Sequence, residues 1–147
     1  MTEGKKQTVA FFYCQQTPES SEQERQYLEE KYERSIRLFP IPCGGRIEPL
    51  HFLRALEEFA NAAYVIVCPE GECRYFEGNL RAKKRVQRAR EIIESIGLEG
   101  DRIGILSNSK ENPKSLARLV DEIMCNTSRL EPSQVLNLHH SLARPFH

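Results

Sequence analysis

The chain of 147 residues sets 21 Lys and Arg against 21 Asp and Glu, so no net charge draws it toward nucleic acid or another polyanion. With 39% apolar and 29% charged residues it has the composition of one soluble globular domain with a buried core, which excludes disorder and collagen-like repeats. No apolar run approaches the roughly 18–20 residues of a membrane span, and the polar start from Met1 to Gln7 leads into no signal-peptide core, so a cytoplasmic protein is expected. In such a reducing compartment the five cysteines are expected as ligands, nucleophiles or core residues rather than as disulfides.

Hydrophobic periodicity separates four short strand-like runs, each followed by a helical pattern. Thr8 to Tyr13 is a continuous apolar run of β-formers, as a strand buried on both faces requires, and it ends at Cys14. Pro18, Ser20 and Ser21 supply turn and N-cap chemistry for a helix over about Glu22–Arg34. The second strand, Ile36 to Ile41, ends at Pro42-Cys43-Gly44-Gly45. Glu48-Pro49 then opens a helix whose Leu50, Leu53, Leu56 and Phe59 predict one apolar face.

Ala63 to Val67 is the third strand and leads directly into Cys68. After the loop Pro69-Glu70-Gly71-Glu72-Cys73, Gly78-Asn79 caps a helix through about Ile96, with Val86, Ala89, Ile93 and Ile96 inward and Gly97 as its stop. Ile103 to Leu106 is the fourth strand, and Pro113 marks the first turn of a last helix with Leu116, Leu119, Val120 and Ile123 on its inner face. From Ser128 to His147 the pattern fails, because Pro132 and Pro145 interrupt it and Val135, Leu136, Leu138, Leu142 and Phe146 are too few for a core. The expectation is a single α/β domain over residues 1–127, a mostly parallel sheet of about four strands with flanking helices, flavodoxin-like or Rossmann-like. Residues 128–147 form a C-terminal arm suited to docking on a partner.

Cys14, Cys43 and Cys68 each follow a strand directly, and in a parallel sheet those positions share the carboxyl edge where open α/β folds place their sites. Cys73 lies one short loop further on, so four thiols can converge. Cys125, late in the last helix, reads as a packing residue. Four thiolates without a nearby His suit a structural zinc ion or an iron-sulfur cluster. Paired C-x2-C knuckles typical of zinc are absent, and a domain of this size needs no metal to fold, which gives the cluster more weight. Gly44, Gly45 and Gly71 would let backbone amides approach the sulfurs, although ordinary turns use glycine too.

An enzymatic alternative stands beside this one. Cys68 to Arg74 satisfies C-x5-R after a buried strand, the spacing by which a thiolate and an Arg share a phosphate in Cys-dependent phosphatases. Glu70 and Glu72 oppose a bound dianion there, and no Ser or Thr follows Arg74. Nucleotide binding lacks both G-x-G-x-x-G and a P-loop, and adjacent His139 and His140 would point apart on a helix.

These residues resemble the iron-sulfur delta subunit of methyl-viologen-reducing hydrogenases, a family also found beside heterodisulfide reductases. Cys68-Pro-Glu-Gly-Glu-Cys-Arg-Tyr-Phe-Glu-Gly-Asn79 is similar to its C-H-x-G-D-C-H-Y-x-x-G-N element, and Cys43-Gly-Gly-Arg-Ile-Glu-Pro49 to its C-x-G-R-x-x-P element. Phe12-Tyr13-Cys14 matches the start of its C-x-x-C element, and Ile96-Gly97-Leu98 through Arg102 resembles its I-G-x-x-x-x-R turn. The resemblance covers about Val9 to Ile123. It implies that Cys14, Cys43, Cys68 and Cys73 hold a 2Fe-2S cluster. It also implies a non-catalytic subunit of a hetero-oligomeric complex, passing electrons from a hydrogenase or other dehydrogenase module to a flavin-containing heterodisulfide-reductase-like subunit.

Three positions depart from the family pattern: Thr17 replaces the second Cys of C-x-x-C, Pro69 replaces a His, and Glu72 an Asp. Arg46, Arg74 and Asn79 are candidates to support or dock the cluster edge. Arg81, Lys83, Lys84, Arg85, Arg88 and Arg90 crowd one helix, as either a solvated face or a docking face for an acidic partner.

Overall fold

A computed structural model describes residues 8–42, 46–68, 78–108 and 111–127. The order is β1 (Val9–Cys14), α1 (Glu22–Lys31), β2 (Ile36–Ile41), α2 (Pro49–Glu58), β3 (Ala62–Val67), α3 (Gly78–Ser95), β4 (Ile103–Ser107) and α4 (Leu116–Thr127), with a 3-10 turn at Gly100–Arg102 before β4. All strand pairs are parallel, and the sheet runs β2-β1-β3-β4. Of the two expected arrangements this is the flavodoxin-like order, whose direction of winding reverses between β1 and β3.

Alternation along the strands divides the core in two. Ala10, Phe12, Ala63, Val65 and Val67 pack with Phe52, Ala55 and Leu56 of α2 and Ala82, Val86, Ala89 and Ile93 of α3. Val9, Phe11, Tyr13, Ala62 and Ile66 pack with Leu28 of α1 and Leu116, Leu119, Val120 and Ile123 of α4. The result is three layers, with β1 and β3 buried on both faces, as their unbroken apolar runs require. Each fully buried Phe or Leu contributes about 1.5–3 kcal/mol relative to exposure. Phe12 stacks on Phe39 at 5.3 Å between ring centroids and meets Phe52 edge-on at 5.7 Å.

At the sheet edge, β2 is blunted. Pro40 leaves one donor fewer along the open edge, and the outward Leu38 N–H is capped by Glu29 Oε2 at 2.9 Å. The other end of the sheet is set by Arg102, 2% exposed, which donates to Glu99 at 2.7 Å and to the carbonyl of Asn61 at 2.9 Å. This fixes the start of β4 beside β3. Gly104 is required there, since a Cβ would lie 2.5 Å from the Tyr64 ring, itself held by a hydroxyl bond to the Asp101 carbonyl.

Several local expectations need correction. α1 ends at Lys31 rather than Arg34, because Glu33 and Arg34 adopt left-handed φ of 53° and 65° to turn the chain into β2. Leu50 is 53% exposed, and Phe52 takes the inner face with Ala55 and Leu56. A strict spacing of three drifts by about 60° per step on a helix, so Leu50 and Phe59 cannot share a face. The same drift puts Ile96 outside: it is 65% exposed just past the end of α3, while Ala82, Val86, Ala89 and Ile93 follow the true period. Gly97 has φ of 92° and stops the helix as expected. Pro113 lies ahead of α4, which starts at Leu116. The expected arm over 128–147 lies outside the described residues.

Candidate metal centre

Cys14 is the last residue of β1, and Cys68 is the first residue after β3. Because β1 and β3 are hydrogen-bonded neighbours, these two ends lie side by side at the carboxyl edge, at the point where the strand order reverses. There the two sulfurs lie 3.5 Å apart. Cys14 is buried at 3% exposure, continuing the face of Ala10 and Phe12, whereas Cys68 is half-buried. Neither is in a disulfide. A tetrahedral metal about 2.3 Å from each of two thiolates places them about 3.8 Å apart, so the observed pair fits ligation of one metal ion.

Local hydrogen bonds hold this pair. The Gln16 amide donates to Cys14 Sγ at 3.5 Å, and the Cys14 thiol points toward the Pro42 carbonyl at 3.9 Å. Thr17, buried at 8% exposure, donates through its hydroxyl at 2.7 Å and its amide at 2.9 Å to the Cys14 carbonyl. The loop after β1 is braced in turn: Ser20 donates to the Thr17 carbonyl, and the Leu116 amide donates to the Pro18 carbonyl. Beyond β4, Asn108 donates its backbone amide to the Val67 carbonyl, next to Cys68. Its side chain both donates to and accepts from the Lys114 backbone, at 2.9 and 2.8 Å, closing the loop on that side.

Cys43 and Cys73 lie outside the described residues, as do Gly44, Gly45, Gly71, Pro69, Glu72 and Arg74. Among the described residues no group of three His, Cys, Asp or Glu is placed to hold a metal. Arg46 is exposed, and Asn79 lies in the first turn of α3 with its side chain outside the described part. The packing role expected for Cys125 is overturned: it is exposed on α4.

The basic helix divides into two sets. Arg85 donates to the Ile47 carbonyl at 2.9 Å and pairs with Glu48 at 3.5 Å, so it anchors the segment that follows Cys43. Arg90 donates to the Gly100 carbonyl and pairs with Asp101 at 3.3 Å. Arg81, Lys83, Lys84 and Arg88 remain on the exposed face. Sequence reasoning missed the Gln16 amide, the Thr17 hydroxyl and the Asn108 clamp. A buried Thr just after a strand-end Cys, and an Asn ending a strand, were the available signals.

Residues 9–131 match the family described as methyl-viologen-reducing hydrogenase, delta subunit. The chain is 31% identical over 103 residues, 70% of its length and 77% of the relative, to the vhu iron-sulfur subunit of the F420-non-reducing hydrogenase of Methanocaldococcus jannaschii. It is 33% identical over 102 residues to the protein of the same name in Methanopyrus kandleri, again covering 77% of that protein. A third similarity, 30% over 102 residues, is to one polypeptide of the ferredoxin/F(420)H(2)-dependent CoB-CoM heterodisulfide reductase of Methanosarcina acetivorans, where it spans only 13% of that longer chain.

Proposed function

The chain belongs to the methyl-viologen-reducing hydrogenase delta-subunit family, and from that premise we propose that it is an electron-transfer subunit carrying one 2Fe-2S cluster on Cys14, Cys43, Cys68 and Cys73. The observation that carries this reading is the Cys14–Cys68 sulfur pair at 3.5 Å, at the adjacent carboxyl ends of β1 and β3. Such a cluster, once bound, supplies one-electron transfer without contact between substrate and protein. The chain's part is to hold the sulfurs: the strand ends set their spacing, and the Gln16 amide offers the kind of donor that a charged sulfur centre needs. In this reading the chain works in the cytoplasm, a reducing compartment that keeps such thiols unoxidised. The described helices agree with a site off the membrane to the extent that none is long and apolar enough to cross one.

The electron donor in this reading is a hydrogenase or other dehydrogenase module, and the acceptor is a heterodisulfide-reductase-like flavoprotein subunit. Relatives named as hydrogenase subunits support the first, and the match within a heterodisulfide reductase polypeptide supports the second. Residues 128–147 are assigned to partner contact. The phosphatase alternative gains no support from Cys68, whose sulfur abuts a second thiol.

The test is anoxic purification, iron and acid-labile sulfide analysis, and electron paramagnetic resonance of the reduced protein. Two irons and two sulfides per chain with a signal from one reduced cluster are expected. An iron-free protein, or one that holds zinc in the same site, overturns the reading.

A further inference from the structure

The Cys14–Cys68 pair has a chemistry of its own when no metal holds it. We propose that in the metal-free protein these two residues form a reversible dithiol-disulfide couple, with Cys68 as the thiol that attacks a peroxide and Cys14 as the thiol that resolves the product. This inference goes beyond the electron-transfer reading and does not depend on it, because it needs only the two sulfurs and a peroxide.

Three observations carry it. The sulfurs are already 3.5 Å apart, so bond formation needs a closure of about 1.5 Å, within reach of side-chain rotation. The backbone permits the bond. Tyr13 pairs with Ile66, which sets Cys68 one residue beyond the position level with Cys14. Parallel strands about 4.8 Å apart with a rise of about 3.3 Å then put the two Cα atoms about 5.8 Å apart, inside the range disulfides use. Finally, burial assigns the roles: half-buried Cys68 meets a water-borne oxidant first, while Cys14, 3% exposed, lies behind it.

Atoms and electrons balance through two displacements. The Cys68 sulfur attacks one oxygen of the peroxide; the O–O bond breaks, and Cys68 becomes a sulfenic acid with release of water when hydrogen peroxide is the oxidant. The Cys14 sulfur then attacks the Cys68 sulfur, the S–O bond breaks, and the oxygen leaves as a second water with the Cys14 proton. Two thiols lose two electrons, and the peroxide gains them. A dithiol reductant reverses the bond by exchange. On the electron-transfer reading the oxidised form lacks two of its four ligands, so it has to be reduced before it can take up a cluster.

The experiment uses the full-length metal-free chain, reduced, freed of reductant and exposed to one equivalent of hydrogen peroxide. Differential alkylation and peptide mass mapping are expected to show a Cys14–Cys68 cross-link, loss of two of the five thiols, and recovery of both with dithiothreitol. Cys14→Ser should leave Cys68 as a sulfenic acid trapped by dimedone, Cys68→Ser should leave Cys14 a thiol, and Cys125→Ser should change nothing. Five thiols surviving, or Cys68 cross-linked to Cys43, Cys73 or another chain, overturns the proposal. Since the wild-type map decides it alone, a variant that fails to fold leaves the test intact. Iron content of the anoxically purified protein is a separate measurement, so failure of the cluster reading and failure of this one are distinguishable.

Discussion

The Thr17 hydroxyl donates to the Cys14 carbonyl at 2.7 Å, which ties the loop after β1 to the residue that presents the buried sulfur. Because the Thr17 amide bonds the same carbonyl at 2.9 Å, removing the hydroxyl does not orphan the acceptor. Thr17→Val is therefore expected to cost about 1 kcal/mol, not the full penalty of an unpaired buried carbonyl. Urea denaturation of the metal-free chain measures it, and a loss well above that value would mean the valine cannot occupy the site.

The proposed ligand set predicts a sharp contrast among cysteines. Cys14→Ser and Cys68→Ser should each lose most of the bound iron and visible absorbance, while Cys125→Ser, exposed on α4, should keep both. Iron analysis after anoxic purification reads this directly. Retention of full iron by Cys14→Ser would remove it from the ligand set.

Arg102 is the charged side chain most deeply buried among the described residues, and it holds the Asn61 carbonyl and Glu99 together. Replacing it by Met keeps bulk but leaves the buried carbonyl without this donor, so a loss of about 2–4 kcal/mol is expected. Lys114→Met breaks an exposed pair with Glu122 and should cost under about 1 kcal/mol. Comparable losses in the two variants would contradict the burial argument.

The hydrogen bond from Arg102 holds the Glu99 carboxyl below its ordinary value of 4.5. A group whose folded value is depressed contributes stability that is present above the unfolded value and lost as pH falls through the folded one. Wild type should therefore exceed Glu99→Gln in stability near neutrality, with the gap closing as the solution is acidified below pH 4.5. Because Glu99 is more than half exposed, the gap is expected to be small. Thermal melts across an acid pH series give the comparison, and a gap that widens on acidification would reverse the sign.

On α3, Ile93 is buried, whereas Ile96, just past its end, is not, although both are isoleucines three residues apart. Ile93→Ala should cost about 2–5 kcal/mol through lost burial and a cavity, and Ile96→Ala should stay within about 0.5 kcal/mol. Chemical denaturation of the two variants distinguishes the observed face from the one that a spacing of three suggests.

Legibility from sequence differs from element to element. The runs Thr8 to Tyr13 and Ala63 to Val67 read as strands, the first as one buried on both faces, because nothing polar interrupts them, and Ser21 and Gly97 read as helix ends because cap chemistry is local. The faces of α2 and α3 were misread at Leu50 and Ile96, since three-residue spacing only approximates the helical period. Arg85 and Arg90 read as part of a solvated or docking face, yet their partners at Ile47 and Gly100 lie far enough along the chain that only folding joins them.

The amino-acid sequence by itself determined the alternation of strands and helices and the placement of Cys14 and Cys68 at strand ends, because hydrophobic period and cap chemistry act over a few neighbouring residues. Tertiary structure alone decided that β1 lies beside β3, and so that sulfurs 54 positions apart meet at 3.5 Å. Strand order follows from how helices cover both faces of the sheet, a condition on the whole chain that no local run of residues carries.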